Sequence, residues 1–201
     1  MRNYQVQGNL FVQESRLCEF LVVFQPPKII LDQVQIYKEE FDQLFGSFNS
    51  RVCATNVAVC DFLLFEHRTW DVYSLFRQRL ESLPPFSVEI SGFDSISANN
   101  SIHLRIEVNE YYQSLLNELD ITRKMMYLRK NYFQRNNPHI TVVRGIPDEV
   151  FPDAASVFLH RNFQASFKIE QLQVLKFDLI SRKYKHYGYL PLTGEHYAQA
   201  V

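Results

Sequence analysis

The sequence predicts an α+β protein whose order of elements repeats once, in two similar lobes. Three observations carry that prediction. Apolar residues follow a helical period in some segments and form short strand-like runs in others. The polar turn from Ser95 to Ser101 is too short for a helical crossover, so the strands on either side of it are antiparallel neighbours. A strand, helix, strand, strand series beginning at residue 57 also recurs from residue 139.

Taken in order, Glu19 to Gln25 reads as a buried strand, broken by Pro26-Pro27. Leu31 to Phe45 has apolar residues at 31, 34, 37, 41, 44 and 45, the period of a helix. Asn56 to Phe65 is a second strand. Trp70 to Leu80 is helical, with Tyr73, Phe76 and Leu80 on one face and Pro84-Pro85 beyond its end. Phe86 to Ile90 and Ile102 to Val108 form the antiparallel pair, and Tyr111 to Leu119 is a helix. The segment from there to Asn137 reads as helix plus loop. His139 to Val143 is a strand, Pro147 opens a helix to about His160, and strands 163–177 and 184–190 close the chain. The repeat pairs 57–108 with 139–190, its best local echo being Phe86-Ser-Val-Glu-Ile against Phe167-Lys-Ile-Glu-Gln. Counted back from those segments, a pseudo-twofold sets the region of Ala58 to Asp61 opposite His139 to Thr141.

At 201 residues, 46% hydrophobic and 21% charged, the chain has the composition of an ordinary globular protein, one domain or two small lobes. No stretch approaches the roughly 20 apolar residues of a membrane span. Met1 to Arg16 lacks the apolar core of a signal peptide. Cys18, Cys53 and Cys60 are odd in number and have neither Cys-x-x-Cys nor Cys/His metal spacing. The expectation is reduced thiols in a cytoplasmic protein.

Charge is unevenly placed. From Arg123 to Arg144 there are six basic residues and no acidic one, so that segment carries +6 in a chain that nets −1. It leads into His139 and focuses anion attraction there, or else it is a solvated helix and loop that happens to be basic. Tyr127, Tyr132 and Phe133 lie among these charges, an interleaving that suits stacking of a base, although aromatics more often pack in a core.

The stretch Pro138-His139-Ile140-Thr141, followed by Val142-Val143-Arg144-Gly145, carries the chemistry. Side chains alternate along a strand, so His139 and Thr141 share one face while Ile140 points to the other. An imidazole titrating near neutral pH beside a hydroxyl donor suits proton transfer at a phosphate. A second His-x-Thr, His67-Arg68-Thr69, falls beyond its strand, where Thr69 is placed to cap the helix from Trp70. His103 lies in the alternating strand Ile102-His103-Leu104-Arg105, facing either solvent or a groove, and Lys185 and His186 fall in the last hairpin.

With Pro138 to Gly145, the segment Pro85 to Phe93 and this order of elements, the chain resembles the two-histidine phosphoesterase superfamily, which contains 2'-5' RNA ligases and cyclic phosphodiesterases. The resemblance spans roughly Glu19 to Leu190. It implies a bilobal α+β fold, one 2'-5' RNA ligase-like domain over the whole chain, with two pseudo-twofold-related lobes whose antiparallel sheets flank a central groove. It also implies acid/base chemistry on a 2',3'-cyclic or 2'-5' phosphodiester with no cofactor and no metal. One departure is marked: Val59 stands where the first histidine belongs and Asp61 where the first hydroxyl belongs. The expected catalytic residues are therefore His139, Thr141 and Asp61, with Arg144, Tyr132 and Arg135 contacting substrate. The expected partner is a nucleotide or RNA end with a cyclic phosphate, not DNA or a membrane, met by a monomer. The alternative is a catalytically inactive nucleotide- or anion-binding protein on the same fold. A third reading, a metal held by His139 and Asp61, lacks ligand spacing.

Overall fold

The structure, a computed structural model, describes residues 16–46, 55–128 and 132–195; Cys53, Arg129, Lys130 and the N-terminal residues before Arg16 lie outside that set. Its elements are β1 (Leu17–Phe24), α1 (Lys28–Phe45), β2 (Val57–Phe65), α2 (Thr69–Glu81), β3 (Phe86–Ile96), β4 (Ser101–Ile106) and α3 (Glu110–Met125). They continue as β5 (Tyr132–Gln134), β6 (His139–Val143), α4 (Phe151–Leu159), β7 (Gln164–Ile169), β8 (Gln171–Asp178) and β9 (Lys183–Pro191). Two sheets result, one ordered β5-β2-β1-β8-β9 and the other β6-β4-β3-β7. Every neighbouring pair in both is antiparallel.

Each sheet buries one face under helices. Cys18, Phe20 and Val22 of β1 and Cys60, Phe62 and Leu64 of β2 are buried, and Phe62 stacks on Phe76 of α2 at 5.5 Å between ring centroids. On the second sheet Ile102, Leu104 and Ile140 are buried. There α1 packs against β6, and Phe158 of α4 meets Phe93 of β3 at 5.6 Å. Burying each such ring contributes about 2–3 kcal/mol. Phe24 and Phe167, one from each sheet, meet at 6.0 Å and join the two layers. The opposite faces carry the polar residues, Asp61 on β2 and His139 and Thr141 on β6.

Several elements differ from the sequence reading. The stretch 163–177 is two strands: β7 pairs with β3 in one sheet, β8 pairs with β1 in the other, and only Glu170 separates them. The Phe86 and Phe167 segments are hydrogen-bonded neighbours, with Val88 opposite Phe167. A short strand, β5, lies inside the basic run and pairs with β2. Helix α4 starts at Phe151 rather than at Pro147, because a helix from 147 would place Pro152 where an interior N–H is needed. Helix α3 runs on to Met125, supported by Asp120 paired with Arg123 and with Lys124. Thr69 is not the cap of α2; Arg68 occupies that position, and the Thr69 hydroxyl is buried.

Candidate active site

Strand β6 is the edge of the second sheet, and its pairing with β4 builds the site. In register, Arg105 stands opposite His139 and His103 opposite Thr141. Cross-strand partners share a face, so these four side chains project together, away from Ile140 and Leu104 in the core. The His103 and His139 rings lie 4.5 Å apart between centroids, tilted by 45°. His139 and Thr141 are half-buried, whereas His103 is only 5% exposed.

The hydrogen bonds fix which nitrogen of His139 is free. Its Nδ1 lies 3.1 Å from the carbonyl oxygen of Asn137. A carbonyl only accepts, so the neutral ring carries its hydrogen on Nδ1 and leaves the Nε2 lone pair available as a base. On the neighbouring strand, the Arg105 Nε donates to Ser91 Oγ at 3.0 Å, and the guanidinium pairs with Glu107 at 3.2 Å. His103 stands opposite Asp94 of β3 on its other side. Burial, and secondarily the charge of His139, pull the His103 pKa down to about 4, against a smaller opposing pull from Asp94. His103 is therefore neutral at neutral pH. The face offers a base, a hydroxyl, a guanidinium and a neutral imidazole within two adjacent strands, a set suited to a phosphoryl group.

On β2, Val59 stands in the slot that the resemblance gives to a first histidine. Val59 is fully buried beside a bulge in the β1–β2 pairing, and its carbonyl accepts from the Arg135 backbone N–H at 2.8 Å. Asp61 is taken up by an ion pair, Arg135 Nη2 to Asp61 Oδ1 at 2.7 Å. The same guanidinium lies over the Phe133 ring at 4.3 Å. The chain then crosses directly to the other sheet, where the Pro138 carbonyl accepts from the Ile106 N–H at 3.3 Å. From Arg135 to His139 is four residues, so their Cα atoms lie within about 14 Å of each other. Residues of β2 and β6 themselves approach within 8 Å, Cα to Cα.

The remaining sequence candidates fall elsewhere. Tyr132 lies on the packed face of β5, stacked with Phe62 at 6.4 Å, its hydroxyl bonded to Gln134, so it faces away from Asp61. Arg144 is exposed just past the end of β6, roughly 15 Å along the strand from His139. His67 is exposed in the turn after β2, its ring stacked on Phe65 at 6.0 Å. Lys185 and His186 are exposed on β9, the outer strand of the first sheet, with Lys185 paired to Asp178. Arg105 is the residue the sequence reading passed over. Its signal was the alternation of Ile102-His103-Leu104-Arg105, which puts His103 and Arg105 on one face, and only the register shows that face to be the one bearing His139. Among the described residues no group of three or more His, Cys, Asp or Glu side chains is arranged to hold a metal ion.

Residues 62–179 match the family model of the 2'-5' RNA ligase superfamily. The chain belongs to that superfamily. The matched span includes His139 and Thr141 and begins one residue after Asp61. Solved structures agree in fold. E. coli LigT complexed with NADP+ superimposes with a TM-score of 0.60 at 10% identity, covering 89% of this chain and 99% of that one. LigT complexed with 3'-AMP gives 0.60 at 12% identity, with the same coverage. TT0787 of Thermus thermophilus gives 0.59 at 13% identity, covering 89% of this chain and 100% of that one. A search of curated proteins by sequence finds no match. The architecture is thus the bilobal two-histidine phosphoesterase fold, mixed α+β with two antiparallel sheets. Among the described residues no helix is long and apolar enough to cross a membrane.

Proposed function

We propose that this chain is a 2'-5' RNA ligase/cyclic phosphodiesterase-like protein that works with one His-x-Thr motif on a nucleotide or RNA end bearing a 2',3'-cyclic or 2'-5' phosphodiester. The observation that carries the reading is His139 and Thr141 on one open face of β6, with the Asn137 carbonyl fixing the Nδ1–H form of His139. In hydrolysis of a cyclic phosphate, His139 Nε2 takes a proton from water as the water oxygen bonds to phosphorus. One P–O bond to the ribose breaks, and the departing oxygen takes that proton back from His139. Thr141 and Arg105 hold the non-bridging oxygens. In this reading Asp61 is not the second proton carrier, because its carboxylate is engaged by Arg135. The LigT structures complexed with 3'-AMP, ATP and NADP+ support a nucleotide as the ligand class.

A second reading, a binding protein without turnover, is favoured by buried Val59 and the occupied Asp61. The test is hydrolysis of 2',3'-cyclic mononucleotides and of a short RNA with that end, in chelator, for wild type and His139→Ala. Turnover in wild type that His139→Ala removes supports the enzyme. Cyclic nucleotides that raise the melting temperature without being hydrolysed support the binding protein.

A further inference from the structure

His103 has no part in the chemistry above. The residue is only 5% exposed, and its Nδ1 is buried with no hydrogen-bond partner among the described residues. A buried N–H without an acceptor is a rarer and costlier defect than a lone pair without a donor. The hydrogen of the neutral ring therefore belongs on Nε2, the nitrogen farther from the backbone. His139 is the reverse, with its hydrogen on Nδ1 toward Asn137. The two rings, 4.5 Å apart, thus hold opposite tautomers side by side: His139 offers a lone pair, His103 an N–H.

We infer that His103 is a phosphoryl-binding residue of this site, a neutral donor whose Nε2–H bonds to a non-bridging oxygen beside His139. The inference rests on the reading of the site as a phosphodiester site and adds to it a residue outside the His-x-Thr motif. Register supports it, since His103 is paired directly with Thr141, so the hydroxyl and the imidazole N–H present two donors side by side. Charge supports it as well. A second imidazolium this close to His139 would oppose proton uptake by His139, whereas burial keeps His103 uncharged at neutral pH. Asp94, opposite His103 on β3, is the one acidic group among its direct register partners.

The experiment has two arms on the full chain. Long-range nitrogen–proton spectra of histidine-labelled wild type read the tautomers without any ligand. The expected result is Nε2–H for His103 and Nδ1–H for His139, and an Nδ1–H form of His103 overturns the inference. Titration with inorganic phosphate then compares wild type, His103→Phe and His103→Gln. Losing one hydrogen bond to a charged group weakens phosphate binding about tenfold in His103→Phe, and the side-chain amide of His103→Gln recovers it to within about threefold. Wild-type affinity in His103→Phe overturns the inference alone. No phosphate binding by any variant, wild type included, overturns both it and the proposed function.

Discussion

The Asp61 carboxylate accepts a hydrogen bond from the Arg135 guanidinium at 2.7 Å, across 74 residues of sequence. This pair stands on β2 at the position that, by resemblance, holds the first motif, and it changes what that position can do. The carboxylate is engaged by this guanidinium, which is carried on the short connection between β5 and β6. The proposed function accordingly draws on the residues of the second sheet.

Asp61→Asn keeps the shape of the side chain and removes its charge. Turnover of a 2',3'-cyclic nucleotide is expected to stay within about threefold of wild type, with an unchanged pH profile. The half-exposed pair contributes only about 0.5–1 kcal/mol to stability. A large fall in kcat, with loss of one limb of the pH profile, would return Asp61 to the role of acid/base.

Thr141→Val removes a hydroxyl donor while keeping the branched shape that suits β6. Affinity for 3'-AMP is expected to fall roughly threefold to tenfold, the effect of one hydrogen bond. Calorimetric titration checks this, and unchanged affinity would take Thr141 out of the phosphate site.

His103 makes stability depend on pH. Its pKa is about 4 in the fold against 6.5 in the unfolded chain, so the unfolded chain binds the proton first as pH falls. The contribution is complete above pH 6.5 and is lost as the pH drops toward 4, amounting to roughly 2–3 kcal/mol. Urea unfolding at pH 7, 5.5 and 4 measures it. The slope over that window is expected to flatten in His103→Phe; an equal slope in both proteins would place the titration elsewhere.

Tyr132→Phe tests the packed face of β5. The ring stays stacked with Phe62, and the hydroxyl's bonds to Gln134 and to the Cys60 thiol are lost. Nucleotide affinity is expected to be unchanged, with stability lowered by about 1 kcal/mol. Weaker nucleotide binding would restore Tyr132 as a substrate contact.

What the sequence made legible followed from local periodicity. The strand His139 to Val143 is found as read, because a short apolar run bounded by Pro138 and Gly145 has few other conformations. The split of 163–177 was hidden because Glu170 interrupts an alternating pattern without a glycine or proline to mark the change of sheet. β5 was hidden because three residues in a basic run carry no periodicity. At the site, the shared face of His139 and Thr141 could be read from their spacing. The partners His103 and Arg105 depend on register between strands, and the Asp61–Arg135 pair on the pairing of β2 with β5 in the first sheet, and neither is encoded by local pattern.

In the proposed function, phosphodiester chemistry rests on His139 and the second sheet rather than on a pair of residues facing each other across the sheets. The most direct measurement is kcat/KM for 2',3'-cyclic AMP hydrolysis in chelator, for wild type, His139→Ala and Asp61→Asn together. The expected result is a loss of at least about a hundredfold in His139→Ala and near-wild-type turnover in Asp61→Asn. Turnover that survives in His139→Ala, or that disappears in Asp61→Asn, would contradict it.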